Sequence, residues 1–228
     1  MPLTIARLEK GEAQPEEDTL VRLAEALEFP ISFFESDDPE NLLTDAVSFR
    51  SLSKMSAKER DAALTAGELA LQVSDWVDQN FDLPEPDLLD LGQEACPEAA
   101  AQALRSYWGL GSRPIESMIA LLETKGVRVF ALEEKNQSVD AFSFWRDERP
   151  HVFLNTMKTA ERSRFDSAHE LAHLVLHRHA GSNKSRVAEA DADSFASSFL
   201  MPADDVRCLL YTSPSPRDQR GSRMPSSA

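Results

Sequence analysis

Apolar residues recur at helical spacing through most of the chain and alternate with polar ones only past its middle. Leu20, Leu23, Ala24 and Leu27, with Val21 beside them, give one apolar face to a short helix with Asp18 at its N-cap and Pro30 closing it. Upstream, Leu3 to Lys10 reads as the end of another helix, stopped by Gly11. Ile31 to Phe34 reads as an apolar turn packing back on the second helix. Ser56 followed by Glu59 has capping-box spacing and opens a long helix over 57–80, with Leu64, Leu71, Val73, Trp76 and Val77 on its apolar face.

From Pro97 the pattern mixes helices and strands. Helices are predicted over 98–107 and 114–125, each with a proline at its start. Val127 to Ala131 alternates as a strand after Gly126, and 141–146 and 151–154 read as two more strands joined through RDERP. Two helices follow, over 160–178 and 186–200, the second stopped at Met201-Pro202. The predicted class is α+β, with a compact helical unit over 1–36, a polar link over 37–55, a mostly helical domain with a small sheet over 56–206, and a tail over 207–228.

Charge sharpens that division. The chain of 228 residues has a net charge of −15, but residues 207–228 carry four Arg against one Asp and are rich in Pro and Ser. With no apolar periodicity, 209–228 is expected to be disordered and to contribute no site, and it reads as read-through sequence. The acidity of the rest disfavours broad phosphate binding. Two cysteines, Cys96 and Cys208, exclude a disulfide scaffold and a four-cysteine zinc site. No apolar run approaches the ~20 residues of a membrane span, and the first residues have no signal-peptide core, so a cytoplasmic protein with no membrane partner is expected.

Four of the five histidines, His169, His173, His177 and His179, fall within the run HELAHLVLHRH. Its first five residues have the H-E-x-x-H spacing. On a helix, His169 and His173 lie one turn apart on one face, so both imidazoles can reach one ion. Glu170 lies about 100° round the helix, where it can take a proton from water without binding the metal. Flanking Phe165, Leu171, Leu174, Val175 and Leu176 place this helix in a core, where inward-facing polar groups need a reason. A catalytic zinc needs three protein ligands and an open position. His179 has the spacing of a three-histidine pattern that requires glycine where this chain has Leu176. Glu189, on the next helix, is the favoured third ligand. Asp193, one turn further on the same face, can then accept the other ring N–H of a ligand histidine. Asp191 is expected to point away. His177 reads as a neighbour of the site or a surface residue, and His151 as a structural histidine, with stabilisation of a reacting carbonyl as its alternative role.

RFDSAHELAHLVLHRH followed by EADADSFASSFLMP resembles the ImmA/IrrE family of zinc metallo-endopeptidases, and GVRVFALEEKNQSVDAFSFWRDERPHVFLN is similar to that family's sheet region. The resemblance runs from about Phe49 to Val206 and weakens after Met201-Pro202, where the family continues. It implies a gluzincin-like fold, zinc held by His169, His173 and Glu189, Glu170 as general base, and Asp193 at the family's Asn or Asp before a Phe-Ala pair, here Phe195-Ala196. It further implies cleavage of a helix-turn-helix repressor in stress or mobile-element gene regulation. ARLEKGEAQPEEDTLVRLAEALEFPISFF is similar to the second half of a Cro-like, XRE-family helix-turn-helix domain, entered inside the recognition helix. Thr4 and Arg7 are the remaining candidate DNA contacts. Residues 1–36 hold three basic residues against eight acidic ones, which disfavours DNA binding by this chain while leaving it expected of a complete domain. The competing expectation is a non-catalytic XRE-family regulator whose zinc-binding domain senses or dimerises.

Overall fold

The computed structural model describes residues 2–36, 48–49, 56–132, 141–155, 157–178 and 186–203. It divides into two compact units, Met1–Glu40 and Asn41–Ala228. His179 and the tail from residue 204 lie outside the described residues.

In the first unit, α1 (Pro2–Glu9) and α2 (Glu17–Leu27) are followed by a 3-10 turn, Ile31–Glu35. Gly11 takes φ +66° just after α1, a conformation glycine adopts without a Cβ penalty. The N-cap of α2 is Glu16 and not Asp18, and its side chain makes no capping bond. Asp18 lies within the first turn, where its charge still favours the positive end of the helix dipole. The expected apolar face is only partly used: Ala24 is buried, while Leu27, Phe29 and Ile31 are exposed. Phe29 and Phe33 pack with their rings tilted by 33° at 4.4 Å, and Phe33 meets Phe34 edge-on at 5.3 Å.

The second unit contains α3 (Ala57–Asn80), α4 (Pro97–Tyr107), α5 (Met118–Thr124), α6 (Ala160–Leu176) and α7 (Arg186–Leu200). Its sheet comprises β1 (Ser48–Phe49), β2 (Arg128–Leu132), β3 (Ala141–Arg146) and β4 (Arg149–Asn155), in the order β1-β3-β4-β2. β2 runs parallel to β4, and the other two pairings are antiparallel. The architecture is α+β. β1 falls in the stretch expected to be only a polar link; two residues carry too little alternation to be read as a strand. α5 starts four residues later than its proline suggests, because the Ser117 hydroxyl accepts the Ala120 N–H and caps the helix there. Gly126 ends α5 at φ +77°, with backbone atoms of Glu85 and Pro86 so close that no side chain would fit.

Period-two alternation gives the sheet two different faces. Phe142, Phe144, Phe153 and Leu132 form one cluster with Ala63 and Leu71 of α3. Ala141, Val152 and Leu154 point the other way, into the larger core with α4, α6 and α7. α6 is therefore buried along most of its length, unbroken from Asp166 to Leu176. Its N-terminus is capped by the Thr159 hydroxyl accepting the Arg162 N–H. It stops at Leu176, short of the Arg178 expected, because its last carbonyls find partners outside the helix: the Trp145 indole N–H donates to Leu174 and the Leu91 N–H to Val175. α7 packs across α4 and α6, and its C-terminal end is held by Arg105. That guanidinium is buried and donates to the carbonyls of Phe199, Gly111 and Arg113. No described helix is long and apolar enough to cross a membrane.

Candidate metal centre

α6 and α7 together present three metal-ligating groups to one point. His169 and His173, one turn apart on α6, face each other through Nε2 atoms 3.1 Å apart. Glu189, in the first turn of α7, turns its carboxylate onto both: Oε2 lies 3.4 Å from His169 Nε2 and Oε1 lies 3.4 Å from His173 Nε2. Among the described residues this is the group of His, Cys, Asp and Glu side chains able to hold an ion. Both imidazoles are buried, whereas the Glu189 side chain is 28% exposed.

The donor set fits zinc. A tetrahedral ion with ligand bonds of about 2.0–2.1 Å has vertices about 3.3–3.4 Å apart. The two imidazole nitrogens, 3.1 Å apart, lie close to that spacing, Glu189 approaches them through different oxygens at 3.4 Å each, and a donor set of two histidines and one carboxylate leaves a fourth tetrahedral position for water or substrate. Asp193 Oδ1 lies 2.9 Å from His169 Nδ1 and accepts its N–H, which leaves Nε2 as a bare lone pair. Two imidazole nitrogens and a carboxylate so close in a buried setting are satisfied either by a cation between them or by protons on the rings. Burial by itself would raise the Glu189 carboxyl. With protons on the facing ring nitrogens in place of an ion, hydrogen bonding from His169 and His173, and then their charge, outweigh it and hold the group well below the usual carboxylate range.

Glu170 follows His169 on α6, is fully buried, and is turned to the sheet. Ser143 on β3 donates from Oγ to Glu170 Oε2 at 2.6 Å. Ser143 was not singled out in the sequence. Its signal is positional: on β3 it occupies the α6 face between Ala141 and Trp145, a polar group where the alternation calls for an apolar one. His177 lies with its Nδ1 3.0 Å from His173 Nδ1. Asp191 is not among the converging groups. Arg7, in the other unit, is exposed, 3.9 Å from Glu12, and Thr4 belongs to the same helix, α1.

His151 is on the wrong side of the sheet for a catalytic part. It shares the α3 face, stacked on Phe144 at 5.3 Å, with Nε2 3.3 Å from Ser74 Oγ. Its Nδ1–H donates to the Arg149 carbonyl at 3.1 Å. Burial, reinforced by the charges of Arg146 and Arg128 and opposed by the Arg149 carbonyl and Asp78, pulls it from 6.5 down to about 4. A histidine held neutral in the fold and free to protonate when unfolded stabilises the protein fully above pH 6.5 and loses that contribution as pH falls to 4. The expected loss across that window is about 2–4 kcal/mol. Urea unfolding of wild type and His151→Gln at several pH values reads it as the stability that wild type gains relative to the variant as pH rises from 4 to 6.5. Parallel curves would show that His151 is not held neutral.

Residues 122–219 match the family model of the IrrE N-terminal-like domain, Peptidase_M78. The match spans the sheet strands from β2 onward, α6 and α7, with every residue of the metal centre, and runs on into the tail to residue 219. No curated protein matches the chain. The segment that carries the converging histidines and glutamate is thus similar to a domain of a metallopeptidase family.

Proposed function

We propose that the chain is a zinc-dependent endopeptidase, with His169, His173 and Glu189 as the metal ligands and Glu170 as the general base. The observation that carries this reading is the three-donor convergence, placed next to a buried glutamate on the same helix. Zinc, when bound, supplies Lewis acidity that brings the pKa of water to about 7 and polarises a carbonyl. Glu170 takes the proton of the attacking water as its oxygen adds to the scissile carbonyl carbon, and returns it to the amine nitrogen as the C–N bond breaks. Ser143 fixes the Glu170 carboxylate, and Asp193 fixes the ring of His169. Glu189 and Asp193 form the accessible side of the site, where an extended peptide can reach it.

The substrate we infer is a helix-turn-helix transcriptional repressor, which locates the reaction in the cytoplasm. The first unit we read as part of an XRE-family helix-turn-helix module that does not bind DNA by itself here; its excess of acidic residues supports that reading. Incubating the zinc-loaded chain with purified helix-turn-helix repressors, and identifying products by mass spectrometry with and without chelator, tests the proposal. Chelator-sensitive scission at a defined bond is expected. One equivalent of zinc with no scission of any repressor would instead favour a sensing or dimerisation domain.

A further inference from the structure

We infer that His177, the residue closing α6, is a positioning residue of the metal centre: its ring fixes the tautomer and orientation of His173. This rests on the metal-ligand reading proposed above. His169 and His173 can both give Nε2 lone pairs to one ion only if each keeps its proton on Nδ1. For His169, that proton goes to Asp193. For His173, Nδ1 of His177 lies in hydrogen-bond range of Nδ1, at 3.0 Å, with the rings 5.2 Å apart and inclined at 45°. His177 must then offer a lone pair there and carry its own proton on Nε2.

The position of that acceptor is built into the end of the helix. The backbone N–H of His177 donates to the carbonyl of His173 at 3.1 Å, so main chain and ring both address the same residue. The next residue, Arg178, lies over the Trp145 ring at 3.9 Å. The Trp145 indole N–H in turn donates to the Leu174 carbonyl at 3.1 Å. The turn that presents His177 is thereby tied to β3. A neutral imidazole is a weaker acceptor than a carboxylate. The two ligand histidines are therefore unequal, His169 made more basic by Asp193 than His173 is by His177.

Zinc affinity, measured by competition with a chromophoric chelator at one fixed pH, compares wild type, His177→Leu and His177→Asn. Leucine approximates the size of the ring and accepts no hydrogen bond; asparagine can place its amide oxygen where Nδ1 stood. His177→Leu should bind zinc roughly 10–100-fold more weakly, with His177→Asn recovering most of that loss. Metal-free thermal unfolding should be alike for all three. A long-range 15N–1H spectrum of the zinc-loaded wild type should show the His173 proton on Nδ1. Equal affinity in wild type and His177→Leu, or no recovery with asparagine, overturns the role of His177 while leaving the three ligands intact. A wild-type chain that takes up no zinc overturns the metal centre itself, and this inference with it.

Discussion

Glu170→Gln is expected to slow peptide hydrolysis by about 10²–10⁴-fold while the zinc content stays at the wild-type level. The substitution is nearly isosteric, and the new amide oxygen can still accept the Ser143 hydroxyl that now sits 2.6 Å from Glu170 Oε2. The fold around a fully buried position is thereby kept. Glu170 is not among the three groups that converge, so metal occupancy has no reason to change. What disappears is a group that can take up a proton from water and give it back to the leaving nitrogen. Zinc analysis and initial cleavage rates on the same preparation separate the possibilities. Undiminished turnover would remove Glu170 from the mechanism. Loss of zinc along with activity would mean that the glutamate supports the metal site, directly or by packing.

The parts of this architecture that could be read in the sequence are those set by local periodicity. The histidine pair depends only on the four-residue spacing within α6, and the reach of Glu189 and Asp193 only on a second helix with those two residues on one face. Both helices are present, and Glu189 lies 3.4 Å from each histidine and Asp193 2.9 Å from His169. Features that depend on pairing across the chain were hidden. β1 is two residues long and exists because β3 offers it a partner nearly a hundred residues later. Ser143 gains its place near Glu170 from the register of β3 against α6, and His151 is excluded from the site by the same period-two rule acting on β4. α5 starts later than its proline suggests because a proline is compatible with a first helical turn but does not create one, whereas the Ser117 hydroxyl supplies the bond that does. In the first unit, Leu27 has helical spacing but little to pack against, so periodicity overstated its burial.

Glu189→Ala should all but eliminate zinc binding, and His179→Ala should leave it intact. Structural zinc sites with four ligands bind with about 10–16 kcal/mol, so one ligand is worth about 2.5–4 kcal/mol, or roughly 10²–10³-fold in affinity. The loss falls at the upper end here because Glu189 is the anionic donor, and without it two neutral imidazoles are left to neutralise a divalent ion. The same loss appears in stability, since an ion that binds only the folded chain stabilises it in proportion to the logarithm of its affinity. At saturating zinc a 10³-fold weaker site forfeits about 4 kcal/mol of that stabilisation. Wild type should therefore melt at a higher temperature with zinc than with chelator, and Glu189→Ala at nearly the same temperature in both. His179 enters as the control because its spacing from His173 was the competing source of a third ligand, one that requires a chain reversal where Leu176 instead completes α6. If zinc stays with Glu189→Ala and leaves with His179→Ala, the ion is held by three histidines of one segment, and α7 has no part in the chemistry.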